Sequence, residues 1–203
     1  PSFSTNIDRV GGLKVVDVNN DGVLDDKDMT VIGDPYPDFT WGITNTFRFY
    51  NFDFSILFQG VHGGDVINAD ATYKDVQIRN EKYNIRHRWV SESHPGDGRT
   101  PTTYGVPWIN TDYDVEDASY AALRNITLGY TLPKHISKKI HLKSLRIYVT
   151  ANNLWFITSK SYRGINPEYR NTSSPYDDTL ISGYQRGSFP MLMTFTTGID
   201  INF

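Results

Sequence analysis

Cysteine is absent from the 203-residue chain, which excludes disulfide bonds, thiolate metal sites and a cysteine nucleophile. An excess of charge of either sign is also lacking, because 20 Lys and Arg residues stand against 23 Asp and Glu residues. This balance provides little attraction to nucleic acid, so no nucleic-acid partner is expected. Long apolar runs are missing too, and no segment approaches the roughly 20 apolar residues of a membrane-spanning helix.

Aromatic residues, in contrast, are abundant. The chain has 4 Trp, 13 Tyr and 11 Phe, or 14% of its residues, while only 21% are charged and the mean hydropathy is -0.45. Transmembrane β-barrels combine these properties, because alternating apolar and polar residues average out in hydropathy and aromatic girdles raise the aromatic content. The composition therefore permits a barrel that a hydropathy average would miss.

Alternation of apolar and polar residues, which indicates β-strands, recurs along the chain. Phe39, Trp41 and Phe47, for example, share one face of a strand whose other face carries threonine and Arg48. The predicted strands lie at about 38–50, 52–62, 118–132, 144–157 and 189–203. They predict an all-β fold of antiparallel strands, preceded by an extracellular loop over residues 1–37. The opening residues lack features of a chain start, so we expect the chain to be a piece of something longer.

The connections between these strands alternate between short and long. The short ones fall at Asn51 and residues 134–143, and the long ones at 63–116 and 159–188. Outer-membrane barrels sort their loops in this way, with short periplasmic turns and long extracellular loops. The pattern predicts an integral barrel with residues 134–143 at the periplasm. The alternative is a secreted, calcium-stabilised β-sandwich that holds carbohydrate.

The alternation also predicts which side chains meet lipid. The positions expected to face outward are Phe39, Trp41, Phe47, Phe54, Phe58, Ile147, Val149, Phe195 and Ile199, whereas Arg48, Asp53, Gln59, Arg146 and Asp200 are expected in the lumen or near its rim. The last strand ends on Phe203, with Ile201, Ile199 and Phe195 on the same face. This ending resembles the C-terminal signal by which outer-membrane proteins are recognised for barrel assembly.

Residues 17–28 fit the start of an EF-hand calcium loop, D-x-[DN]-x-[DN]-G. The predicted ligands are the side chains of Asp17, Asn19, Asp21, Asp25 and Asp28 and the carbonyl of Val23. Gly22 permits the sharp turn, but Gly33 and Pro35 prevent the helix that follows a true EF-hand loop. The pattern predicts one structural Ca²⁺, and the alternative is an Asx-rich turn with solvated carboxylates.

Enzyme motifs are missing from the sequence. The five histidines form no H-E-x-x-H pair, and neither a G-x-S-x-G elbow nor a phosphate-binding glycine loop occurs. The acidic residues Asp112, Asp114, Glu116 and Asp117 could pair for glycoside chemistry, but on a loop we expect them to be solvated. The sequence predicts no catalytic site.

The long loops carry aromatic and amide side chains suited to a sugar, whose C–H faces stack on aromatic rings. The candidate substrate-binding residues are Trp89, Tyr104, Trp108, Tyr113, Tyr162, Tyr169 and Tyr176, beside Asn110, Asp112, Asn166 and Asp177. The alternative is that these side chains pack against the loops themselves or against a partner protein.

Several blocks of the sequence resemble, in order, the SusC-like (SusC/RagA) TonB-dependent transporters. They are DVNNDGVLD at 17–25, VIGDPYPDFTWG at 31–42, NFDFSILFQG at 51–60, SYAALRNITLGYTLP at 119–133, LRIYVTANNL at 145–154, GINPE at 164–168, and the ending from Phe189 to Phe203. The resemblance runs from about Gly12 to Phe203, nearly the whole chain.

The resemblance implies the C-terminal part of a barrel of about 22 strands in the outer membrane of a Gram-negative bacterium. It implies a SusD-like surface lipoprotein as a lid, the TonB complex as the energy source, and oligosaccharides or, in some members, peptides as the imported substrate. The plug and the TonB-contacting segment of such transporters have no counterpart in these 203 residues. The remaining N-terminal barrel and plug would therefore be needed for transport.

Overall fold

The computed structural model describes residues 10–69, 87–102, 111–168, 183–185 and 188–203. The chain divides into two compact units. The loop unit comprises Pro1–Tyr36, Asp65–Glu116 and Tyr169–Ser188, and the sheet unit comprises Pro37–Gly64, Asp117–Glu168 and Phe189–Phe203.

Strands dominate the described residues. They are β1 (Pro37–Phe49), β2 (Phe52–Gly63), β3 (Asp65–Asn68), β4 (Val115–Asp117), β5 (Tyr120–Thr131), β6 (Ser144–Thr158), β7 (Tyr184–Gln185) and β8 (Thr194–Asn202). Helical segments that lie wholly within the same ranges are α1 (Lys134–Lys139) and 3-10 turns at Asp26–Asp28 and Asp112–Asp114. Among the described residues, no helix is long and apolar enough to cross a membrane. The all-β prediction is confirmed.

The sheet unit is a five-stranded antiparallel sheet in the order β1-β2-β5-β6-β8. Four strands lie within two residues of their predicted bounds, but β8 begins at Thr194 rather than near residue 189. Two features accompany this later start. Pro190 has no N–H to donate to a strand ladder, and the amide of Asn153 donates instead to the carbonyl of Leu192 at 3.3 Å.

The pairing gathers the short connections at one end of the sheet. The N–H of Thr131 donates to the carbonyl of Asn51 at 2.8 Å, and that of Lys143 donates to the carbonyl of Asn202 at 2.8 Å. The turn at Asn51, residues 132–143 and the end of β8 therefore lie together, at what we call the short-connection end. The long connections lie at the opposite end of the sheet, where Tyr120 at the start of β5 pairs with Thr158 at the end of β6.

The connection between β5 and β6 contains α1 rather than a simple turn. Pro133 directly precedes the helix, where its fixed φ and missing N–H are compatible with a helix start. Ser137 is buried, and its hydroxyl lies within hydrogen-bonding distance of the carbonyls of Pro133 and Leu132, at 3.4 and 3.5 Å. This contact ties the helix to the end of β5.

The loop unit has a small sheet of its own, in the order β4-β3-β7, with β3 and β7 parallel. Asp114 and Glu116 are buried here, with exposed fractions of 2% and 1%, so the prediction that they are solvated is wrong. Each carboxylate accepts a hydrogen bond that offsets the cost of its burial. Asp114 accepts from the N–H of Thr111 at 3.1 Å, and Glu116 accepts from the amide of Asn68 at 2.9 Å.

Candidate functional site

The five-stranded sheet has one apolar and one polar face, and the apolar face is exposed. All the side chains predicted to face lipid share this face in the observed register, as in the pairs Phe47–Phe54, Ile147–Ile199 and Val149–Leu128. Phe47 is 59% exposed, Phe195 68% and Ile199 61%. An exposed apolar surface that runs across five strands is far larger than the scattered patches of a soluble monomer, and it indicates an apolar surrounding.

The polar face is lined by uncharged side chains in its middle. One rung across the sheet consists entirely of hydroxyl residues, namely Thr46, Ser55, Thr127, Thr150 and Thr196. The hydroxyls of Thr127 and Thr150 lie 2.9 Å apart, and on the next rung the amide of Asn125 donates to Asn152 at 2.8 Å. These groups can both donate and accept hydrogen bonds, as a surface facing water or a polar solute requires.

Charged groups of the polar face cluster toward the short-connection end. Arg146 on β6 donates to both carboxylate oxygens of Asp53 on β2, at 2.9 and 2.6 Å, and to Asp200 on β8 at 3.0 Å. Gly129 on β5 lies between them, and a Cβ there would fall 2.5 Å from the Asp53 carboxylate. Glycine at this position therefore allows the Arg146 guanidinium to reach across β5 to Asp53. The guanidinium carbon of Arg146 also lies 4.9 Å from the centroid of the Tyr148 ring.

Sequence reasoning missed Arg124, which anchors a second cluster. β6 places Asn153 and Leu154 opposite Arg124, and Asn153 has φ +53°, which marks a β-bulge. Arg124 is also the extra residue of β5 against β2, where Leu57 pairs with Asn125 and Phe58 with Leu123. Its side chain therefore lies on the polar face, where it donates to Gln59 at 3.1 Å and to Asn153 at 3.2 Å. It also forms an ion pair with Glu168.

The predicted calcium loop closes on itself through its acidic side chains. Gly22 has φ +80° and donates its N–H to Asp17 at 2.8 Å, while Asp28 accepts from the N–H groups of Val18 and Asp25, each at 2.9 Å. The hydrogen bond from the N–H of Asp25 is the main cause that lowers the pKa of the Asp28 carboxyl. These hydrogen bonds close the loop around the carboxylates of Asp17 and Asp28.

The donors of this loop suit calcium in their chemistry, because they are all oxygens. These oxygens are not arranged around a common point that a metal ion could occupy. Asn19 contacts Asp21 at 3.0 Å, Lys27 lies 3.7 Å from Asp25, and among the described residues no three His, Asp or Glu side chains form a group that could hold a metal. The Val23 carbonyl is the one predicted backbone ligand of this loop. The complete set of calcium ligands therefore stays a prediction.

The candidate substrate residues fall into different surroundings. Tyr113 and Tyr162 are buried, each with an exposed fraction of 8%, so their rings contribute to packing in this structure. Trp89 lies against Gly11, Asp112 is exposed, and Asn166 donates to the carbonyl of Phe189 at 3.2 Å. The others, Tyr104, Trp108, Asn110, Tyr169, Tyr176 and Asp177, lie outside the described residues.

Comparisons with known proteins agree with a barrel wall. No protein-family model matches the chain. TonB-dependent receptor P3 of Formosa agariphila is 34% identical over 195 residues, which cover 95% of this chain and 19% of that receptor. TonB-dependent receptor SusC of Bacteroides thetaiotaomicron is 26% identical over 193 residues, which cover 93% of this chain and 17% of that receptor. The chain thus spans about one fifth of the length of the curated relatives it matches.

Solved structures resemble the chain in fold. The RagAB peptide importer in its closed-closed state matches with a TM-score of 0.66 and 19% identity, over 85% of this chain and 18% of the other. The RagAB peptide transporter matches with a TM-score of 0.65 and 21% identity, over 82% and 17%. The two-faced antiparallel sheet and these relatives define the chain as a portion of a TonB-dependent receptor. Within that class it belongs to the SusC-like family. The relatives are named as receptors, importers and transporters rather than as enzymes.

Proposed function

We propose that the chain forms part of the barrel wall of an outer-membrane importer that takes up oligosaccharides. The two-faced sheet carries this proposal, since its exposed apolar face suits lipid and its hydroxyl-lined face suits a polar interior. In the importer, the TonB complex supplies energy through the N-terminal part of the transporter, and a SusD-like lipoprotein closes the extracellular side. The relatives, which are about five times longer than this chain, support that arrangement.

The edges of the sheet are suited to further strands. Within the described residues, β1 pairs only with β2, and β8 pairs only with β6. Open edges of this length promote pairing with other strands. In the proposed importer, strands from the rest of the same transporter pair with both edges and close the barrel, and the N-terminal plug completes the transporter.

The uncharged polar face supports oligosaccharides as the substrate class. Hydroxyl and amide groups such as those of Thr127, Thr150 and Asn152 match a solute that is itself rich in hydroxyl groups. A peptide is the second candidate, favoured by the names of the RagAB structures, which describe a peptide importer. The proposed importer contacts its substrate through loop residues such as Asp112 and Asn166.

Binding of the purified two-protein complex, transporter with its lipoprotein, to an oligosaccharide panel and a peptide digest in parallel tests the substrate class. We expect retention of one glycan family and no enrichment of peptides. Retention of peptides without any glycan binding would contradict the substrate class while leaving the importer in place.

The secreted β-sandwich is the weaker candidate. A sandwich packs the apolar face of one sheet against a second sheet, whereas the apolar face of this sheet is exposed. Extraction distinguishes the two: the importer needs detergent to leave the membrane fraction, and a sandwich module would be recovered in buffer alone.

Calcium at residues 17–28 is proposed as a structural ion that stabilises the loop. We expect Asp21→Ala to weaken calcium binding by the complete transporter roughly tenfold, because it removes a charged ligand. Asp26→Ala is the matched control, since Asp26 is exposed and occupies no ligand position. Calorimetric titration measures both variants. Absence of calcium from the wild-type protein at millimolar calcium, measured by mass spectrometry, would refute the ion.

A further inference from the structure

The connection between β5 and β6 carries a concentration of positive charge. Residues 134–143 contain four lysines, Lys134, Lys138, Lys139 and Lys143, together with His135 and His141, and no acidic residue. All of these side chains are exposed. Over the whole chain the acidic residues slightly outnumber the basic ones, so this basic segment departs from the average of its own sequence.

Two exposed isoleucines accompany the lysines. Ile136 is 40% and Ile140 49% exposed, although α1 is tied to the strands through the buried Ser137. A short helix in water would turn its isoleucines toward the body of the protein. Lysines next to exposed isoleucines are instead the composition of a helix that lies at a membrane interface, with charge toward the headgroups and apolar side chains toward the acyl chains.

Aromatic side chains surround the same end of the sheet. Phe49 and Tyr50 lie edge to face with ring centroids 4.5 Å apart, and Phe52 and Tyr130 follow with centroids 4.7 Å apart. Tyr50 is 90% exposed, and Phe203, next to the last residue of β8, is exposed as well. Such a belt of aromatic rings marks the level of the headgroups at the edge of a barrel.

The carboxylates of this end of the sheet do not neutralise the lysines. Asp53 and Asp200 are the acidic residues on the nearby rungs of β2 and β8, and both accept hydrogen bonds from Arg146. The positive charge of residues 134–143 is therefore available to an external anion, and it lies beside the aromatic belt.

We propose that residues 134–143, together with this belt, bind the headgroups of anionic phospholipids in the membrane leaflet at the short-connection end. The inference rests on the proposed barrel and adds a lipid class to it. The charge complements a phosphodiester headgroup, the isoleucines complement the acyl chains below it, and the apolar face of the sheet continues directly from the belt. A membrane surface satisfies all of these features together, whereas an acidic protein would leave the outward apolar rings without a role.

The test uses the complete transporter, purified in neutral detergent, with a fluorescent phosphatidylglycerol analogue followed by anisotropy. We expect Lys138→Gln/Lys139→Gln to weaken its binding severalfold, since each substitution removes one charged hydrogen-bond donor to the lipid phosphate. Lys14→Gln/Lys160→Gln, which removes two exposed lysines outside the basic segment, is expected to bind as the wild type does. Glutamine preserves helix propensity, so α1 should persist.

Two further measurements separate the outcomes. Wild-type affinity for the analogue should fall as salt rises, and unlabelled phosphatidylcholine should compete poorly. Equal phosphatidylglycerol affinity in the two double variants, or equal competition by phosphatidylglycerol and phosphatidylcholine, would overturn the lipid site. The proposed importer would not be affected by that result. Recovery of the protein without detergent would overturn the proposed barrel, and the lipid site with it.

Discussion

Val149→Arg is expected to lower the free energy of unfolding of the transporter in a bilayer by about 2–4 kcal/mol, the cost of arginine on the lipid face near the midplane. Val149 lies on the exposed apolar face, two residues from the centre of the 15-residue strand β6. The neighbouring Thr150 points to the polar face, where its hydroxyl lies 2.9 Å from that of Thr127. Thr150→Arg should therefore cost about 1 kcal/mol or less.

Urea unfolding of the purified transporter in lipid vesicles measures both variants, and the amount of folded protein in outer membranes gives a second readout. The two substitutions add the same side chain at adjacent positions, so general effects of arginine cancel. Similar losses at Val149 and Thr150 would contradict the assignment of the two faces.

Removal of the Arg146 guanidinium is expected to be the largest effect on the polar face. Arg146→Met leaves Asp53 and Asp200 without the charged donor that joins β2 to β8 through three hydrogen bonds. Charged hydrogen bonds contribute roughly 1.5–3 kcal/mol when protected. Because these side chains are partly exposed, we expect a loss of about 1–2 kcal/mol.

Arg48→Met is the matched control for this prediction. Arg48 lies on the same face and pairs with Asp53 in the strand register, but its side chain is exposed. We expect a change within about 0.5 kcal/mol. The urea midpoint of each variant is compared with that of the wild type. An equal shift in the two variants would show that the three hydrogen bonds of Arg146 add no stability.

Local alternation was sufficient to predict the strands and their faces. Val149 and Thr150 could be assigned to opposite faces because successive side chains in a strand point to opposite sides. The start of β8 was missed because alternation alone was followed through Pro190, which cannot donate to a strand ladder. The hydrogen bond from Asn153, a residue of a different strand, to Leu192 leaves no local pattern.

The clusters of the polar face depend on contacts between distant parts of the sequence. Arg124 meets Glu168 because Arg124 is an extra residue of β5 against β2, and such a bulge breaks the alternation on which strand prediction relies. Asp114 and Glu116 have the composition of a solvated loop, and their burial follows from partners at Thr111 and Asn68 that no local pattern indicates. Asparagine adopts a positive φ more readily than most residues, but the sequence does not tell which of Asn152 and Asn153 does so.

The sidedness of the sheet tests the central claim, an outer-membrane barrel wall, most directly. Lys138 lies at the short-connection end and Lys160 beyond β6 at the opposite end, and both are exposed. The chain itself has no cysteine, so Lys138→Cys and Lys160→Cys each add one thiol that can be labelled in the complete transporter with a membrane-impermeant maleimide, and the transporter without either substitution gives the background. We predict that Lys160→Cys reacts on intact cells and that Lys138→Cys reacts only after the outer membrane is permeabilised. Labelling of Lys138→Cys on intact cells would contradict the account.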